Sequence, residues 1–180
     1  MEIGADGRLQ GVRFVASPNC DSRPPDTRVT LLVLHGISLP PGDFGGDEIE
    51  KLFTNSLDPE AHPYFREIAA LRVSAHFLVR RDGSVVQFVP VTQRAWHAGT
   101  SAWRGRDRCN DTSVGVELEG TDLLPYAGAQ YAGLASLARA LIRALPITAC
   151  AAHSDVAPGR KTDPGQSFDW RYFHSLLLSR

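Results

Sequence analysis

The sequence predicts one α/β (α+β) domain over residues 1–180, a mixed β-sheet flanked by α-helices. Three observations carry that prediction. The chain has 180 residues, 43% of them hydrophobic and 22% charged, and a chain of that size buries roughly 70% of its unfolded surface, enough for a core without disulfides. Residues 114–152 run strand, helix, strand, the pattern of a right-handed crossover between parallel strands. Arg81-Asp82-Gly83 lies between two apolar runs, where Asp-Gly signals an antiparallel hairpin.

Taken in order, residues 17–28 form a polar, Pro-rich loop, and residues 29–35, β-branched and Leu-rich, read as a buried strand. Residues 36–47 are rich in Gly and Pro and suit a loop, and short helices follow at about 48–55 and 63–71. Strands at 73–79 and 84–89 make the hairpin, and residues 90–113 read as a mostly irregular connection, of the long kind that tends to be functional. The strand at 114–118 alternates: Val114, Val116 and Leu118 share one face, Gly115, Glu117 and Glu119 the other. A helix over 127–145 carries Leu134, Leu137, Leu141, Ile142 and Leu145 on one stripe and stops at Pro146. A strand at 147–152 leads into His153, and a last helix at about 169–178 aligns Trp170, Phe173 and Leu177.

A net charge of −1 leaves no basic footprint for nucleic acid or an anionic membrane. The N-terminus is polar, and no apolar stretch approaches the ~18 residues of a membrane helix. Cys20, Cys109 and Cys150 are odd in number, far apart and without a CxxC pair, which fits reduced thiols. The expectation is a cytoplasmic monomer with neither nucleic-acid nor membrane partner.

The chemistry gathers in two segments. Leu31-Leu32-Val33-Leu34-His35-Gly36 ends an apolar strand in an imidazole, and His153 also follows a strand at its C-terminal end. If both strands run in one sheet with the same sense, the two rings emerge at one edge, where open α/β folds put their sites. Asp163 lies ten residues past His153 on a loop shaped by Pro158, Gly159, Pro164 and Gly165. Two His and one Asp with a fourth position free is how a hydrolytic zinc centre is built. The alternatives are a satisfied core His35 and an Asx turn at Asp163.

Glu117 reads either as a carboxylate on the solvated face of an edge strand or as a general base over the metal. Lys161 stands out because 17 Arg and only two Lys make up the 19 basic residues; it reads as a solvated loop residue or as an oxyanion stabiliser. Trp96 and Trp103 could stack on a sugar or a base face, or pack in the core. Arg72, Arg104, Arg106 and Arg108 could grip carboxylates or simply keep the surface soluble. His62, His76 and His174 read as structural.

Several of these segments occur in the order of a known family: His35-Gly36-Ile37-Ser38-Leu39-Pro40, residues 74–83, Trp96-His97-Ala98-Gly99, residues 113–120, the His153–Gly165 loop and Phe168-Asp169-Trp170. The chain resembles the zinc-dependent N-acetylmuramoyl-L-alanine amidases of the second amidase family, most of all the cytosolic members that act on 1,6-anhydro-N-acetylmuramyl-L-alanine. The resemblance runs from about Gly11 to His174. It implies a fold shared with peptidoglycan recognition proteins, an anhydro-muropeptide substrate from peptidoglycan recycling, and one Zn2+ ion held by His35, His153 and Asp163. It further implies Glu117 as catalytic carboxylate, Lys161 as oxyanion stabiliser, Tyr64 and Trp96 near the sugar, and Arg72 and Arg108 at the acidic stem peptide. The family usually has Asn after the first zinc-ligating His; this chain has Gly36.

Overall fold

In a computed structural model, which describes residues 1–179, the strands are β1 (Arg13–Phe14), β2 (Cys20–Ser22), β3 (Leu31–Ile37), β4 (Phe77–Val79), β5 (Val85–Gln87), β6 (Gln93–Ala95), β7 (Ala102–Trp103), β8 (Arg106–Asp107), β9 (Ser113–Glu119) and β10 (Ala149–Ala152). The helices are α1 (Glu48–Phe53), α2 (Pro63–Ile68), α3 (Cys109–Thr112), α4 (Gly128–Ala144), α5 (His153–Val156) and α6 (Trp170–Leu178). Six strands form the main sheet in the order β1-β5-β4-β9-β3-β10. The β4–β5 hairpin is antiparallel, and the other neighbours pair parallel. The mixed sheet expected from the sequence is therefore present. The crossover through α4 joins β9 to β10 with β3 seated between them.

One face of the sheet is mainly apolar. Leu32, Leu34, Val114, Val116 and Leu118 pack there against Leu134, Leu137 and Leu141 of α4 and Phe173 of α6. Tyr172's backbone N–H is capped by Asp169, which starts α6 just after the His153–Gly165 loop. The opposite face is split. Leu52, Phe53 and Phe65 of α1 and α2 cover Leu78 and Val86 on one side. Leu31 and Val33 meet Ala98, Cys109 and Val156 on the other. Between these two clusters β3 and β9 present His35, Gly115, Glu117 and Glu119, so the polar residues lie along a seam the apolar packing leaves open.

Several boundaries differ from those expected. β3 begins at Leu31 and runs two residues past His35, because its pairing with β9 continues to Ile37 opposite Glu119. The first hairpin strand begins at Phe77 rather than 73, since Ser74 bonds to the Trp96 carbonyl instead of a neighbouring strand. The stretch 90–113 holds three two- or three-residue strands and the short α3, with β6 pairing back to β2 within the Pro-rich loop. The helices near residues 48 and 63 end earlier, at Phe53 and Ile68. Among the described residues no helix is long and apolar enough to cross a membrane.

Candidate metal centre and active site

Register brings the site together. In the parallel ladder His35 of β3 stands opposite Glu117 of β9, and Leu34 stands opposite Ala152, the residue before His153. Three adjacent strands thus deliver two imidazoles and a carboxylate at one level of the sheet's C-terminal edge. Asp163 reaches the same place because its loop folds back onto α5: the Ser154 N–H donates to the Asp163 carbonyl at 3.1 Å, and the Lys161 N–H to the Ala157 carbonyl at 3.1 Å.

His35, His153 and Asp163 each turn one donor atom inward, and the three atoms lie within 4.8 Å of one another. His35 Nδ1 is 2.9 Å from His153 Nδ1, which is 3.0 Å from Asp163 Oδ2. Both rings are buried, and burial above all pushes the His35 pKa down to about 4, against an upward pull from Asp163. A neutral ring is the form that binds a metal.

The donor chemistry tests whether an ion fits. His153 Nε2 faces the Ala98 carbonyl at 3.4 Å. A proton on that nitrogen leaves Nδ1 as a bare lone pair, whereas a proton on Nδ1 would be donated to Asp163. With Nδ1 bare, the His35 and His153 lone pairs and the Asp163 oxygen converge on one point that a cation would join. Two imidazole nitrogens and one carboxylate oxygen suit zinc, with a fourth coordination position left over.

Glu117 is 9% exposed, and its Oε2 has no hydrogen-bond partner. Burial, and then the nearby Asp163 charge, push its pKa well above the usual carboxylate range, with Lys161 pulling the other way. Its strand is central, between β4 and β3, so the edge-strand alternative for Glu117 is overturned. An open cleft of about 540 Å³ has Glu117, His153, Asp163, Lys161 and Tyr64 in its walls. Lys161 is exposed and makes no ion pair among the described residues.

The other sequence candidates stand outside the cleft lining itself, although Leu71, Val73 and His97, the chain neighbours of Arg72 and Trp96, belong to it. Arg72 is exposed and donates to the carbonyls of Ala70 and Leu71 in its own turn, at 3.2 Å each. Trp96 is half-buried and, like Arg72, is not among the residues lining the cleft. Arg108 borders a neighbouring depression with Arg160 and pairs with Asp111 at 3.1 Å. His62 accepts from the Tyr64 N–H at the start of α2, and His76, fully buried, accepts from the Gly115 N–H at 3.0 Å; both are structural, as expected. The sequence singles out His97 only within the Trp96–Gly99 motif, yet its Nδ1 lies 2.9 Å from His35 Nε2. Gly115 was the available signal: a glycine inside a strand, on the face of Glu117, marks a close approach by another group.

Residues 25–166 match the family described as N-acetylmuramoyl-L-alanine amidase. The chain belongs to this family. Like its other members it is an amidase. It is 59% identical over 173 residues to the 1,6-anhydro-N-acetylmuramyl-L-alanine amidase AmpD of Escherichia coli (strain K12), covering 95% of this chain and 94% of that one. The crystal structure of a selenomethionine derivative of AmpD superposes with a TM-score of 0.96 at 56% identity, covering 98% of this chain and 99% of the other. The amidase AmiD from E. coli, in complex with the substrate anhydro-N-acetylmuramic acid-L-Ala-D-γ-Glu-L-Lys, matches at 29% identity and a TM-score of 0.61, over 94% of this chain and 60% of AmiD.

Proposed function

We propose that this chain is a zinc-dependent amidase that cleaves the amide between the lactyl group of 1,6-anhydro-N-acetylmuramic acid and L-Ala of a stem peptide. The convergence of His35 Nδ1, His153 Nδ1 and Asp163 Oδ2 beside the unpartnered oxygen of Glu117 is the observation that supports this reading most. Three free thiols among the described residues support a reducing compartment, and the reaction belongs in the cytoplasm, within peptidoglycan recycling.

His35, His153 and Asp163 hold the ion. When bound, zinc supplies Lewis-acid polarisation and lowers the pKa of the attacking water. Glu117, kept basic by its lack of donors, takes the water's proton as the oxygen adds to the carbonyl carbon. Lys161 brings a fixed positive charge to the developing oxyanion. As the C–N bond breaks, Glu117 returns the proton to the leaving amine of L-Ala. Tyr64, in the cleft wall, meets the sugar, and Arg108 the acidic stem peptide. Arg72 and Trp96 contact only a substrate that extends beyond the cleft lining.

The test is hydrolysis of anhydro-muramyl-tripeptide by zinc-loaded protein, followed by mass spectrometry with a chelated control. Chelator-sensitive release of free tripeptide is expected. Intact substrate after incubation with protein shown to contain zinc contradicts the reading.

A further inference from the structure

His97 belongs to no role assigned above, yet its place is fixed from every side. Its backbone N–H and that of Ala98 both donate to the Asn110 side-chain oxygen, at 3.2 and 2.8 Å. Its ring lies against β9 at Gly115, where any Cβ would collide with the ring. One ring nitrogen, Nδ1, is 2.9 Å from His35 Nε2, and the other, Nε2, is 3.1 Å from the Ser113 hydroxyl.

The protons along this chain can be counted. The Ser113 hydroxyl has one hydrogen, and at 2.6 Å it is given to the Cys109 carbonyl, which can only accept. Toward His97 the Ser113 oxygen is therefore an acceptor, and His97 Nε2 must carry the proton. A neutral imidazole carries one N–H, so His97 Nδ1 is bare and accepts from His35 Nε2–H. His35 Nδ1 is then the bare nitrogen, and it faces His153 and Asp163.

We propose that His97 is a positioning residue: anchored by Ser113, it holds His35 in the Nε2–H tautomer and so presents the Nδ1 lone pair to the metal. The inference rests on His35 being a zinc ligand. A partner on the far nitrogen fixes both the ring's rotation and its basicity, and loss of such partners typically costs 10–100-fold in metal affinity. Gly115 belongs to the same device, since only a residue without a side chain leaves the ring its berth on β9.

Two measurements test this on the full chain. Long-range proton–nitrogen NMR of histidine-labelled protein, metal-free and zinc-loaded, reads the tautomer of each ring. His35 is expected as Nε2–H in both states, and an Nδ1–H His35 in the metal-free protein overturns the proposal. Chelator competition reads zinc affinity. His97→Phe, which keeps the ring but has no acceptor, is expected to lose about 10–100-fold. His97→Asn, whose amide oxygen stands near the place of Nδ1, is expected to recover most of that loss. A role in packing alone predicts the opposite order, with Phe tolerated and Asn impaired, and that order overturns the proposal. Wild-type protein that takes up no zinc refutes the metal reading instead, and the NMR pattern of the metal-free protein still decides the relay.

Discussion

Glu117 and Glu119 are two residues apart on one face of β9, and both are buried, but their surroundings are opposite. Glu119 is saturated. Its Oε1 accepts from the Gly45 N–H at 2.7 Å and from Arg80 at 3.1 Å, and its Oε2 accepts from the Arg81 N–H at 3.0 Å. Arg80 passes the pairing on to Glu50 at 2.6 Å, which Arg13 also meets. Glu117 has an oxygen with no partner at all, and the residue lines the cleft. A buried carboxylate left without donors is costly to keep charged, and a fold retains one where a proton is to be taken. Partner satisfaction, not burial or strand position, separates the carboxylate that supports the fold from the one proposed to do chemistry.

The sharpest way to break this contrast is Glu117→Gln. It should lower kcat/KM by about 10²–10⁴-fold, the usual scale of a general base, while zinc content stays unchanged. Near-normal turnover would remove Glu117 from the reaction. The partner experiment is Glu119→Gln, which unbalances a buried ion network and should cost about 3–5 kcal/mol in chemical denaturation, with turnover per folded molecule retained. If Glu119→Gln instead abolishes turnover at full stability, the contrast is reversed.

Removing a ligand probes the other half of the site. Asp163→Ala should weaken zinc binding by more than about 100-fold, beyond what loss of an outer partner costs. Unchanged metal stoichiometry at nanomolar free zinc would take Asp163 out of the ligand set. Gly36→Ala is a smaller perturbation. Its Cβ would stand 2.5 Å from the Tyr126 hydroxyl, which donates to the Pro164 carbonyl next to Asp163. The expected loss is about 1–3 kcal/mol, seen as a lower Tm and relieved in the Gly36→Ala/Tyr126→Phe double variant.

The pH dependence is the mildest test. Because burial and Asp163 raise the Glu117 pKa, its carboxyl in the metal-free protein should titrate above the ordinary value of 4.5 when followed by NMR. The sign for stability follows from the same shift. Between the unfolded and native pKa the native protein binds more protons, so this carboxylate's contribution to stability falls as pH rises through that window. Metal-free Glu117→Gln should lack that decline and melt above the wild type at neutral pH. A wild-type advantage there would show that Glu117 has partners after all.

Much of this architecture is legible in the sequence because it is local. Period-two alternation put Gly115, Glu117 and Glu119 on one face, Asp-Gly gave the hairpin, and Pro146 ended the long helix. Two strands ending in imidazoles and a loop able to turn back make the convergence of His35, His153 and Asp163 one reading beside a core His35 and an Asx turn at Asp163, and the structure brings all three together. What stayed hidden depends on partners far along the chain. Nothing near residue 119 announces that Arg80 and Gly45 will satisfy it, and nothing near residue 35 announces His97, 62 positions away. The order of strands was also out of reach. The crossover from β9 to β10 is readable, but the insertion of β3 between them is not, and that insertion makes Glu117 central and sets His35 between the other two groups.

The most direct test is to measure zinc content, unfolding free energy and hydrolysis of anhydro-muramyl-tripeptide on wild type, Glu117→Gln and Glu119→Gln prepared side by side. The expected result is that Glu117→Gln holds zinc and stability but loses turnover, whereas Glu119→Gln loses stability but keeps turnover per folded, zinc-loaded molecule. Equal losses of stability and activity in the two variants would contradict the division of labour along β9.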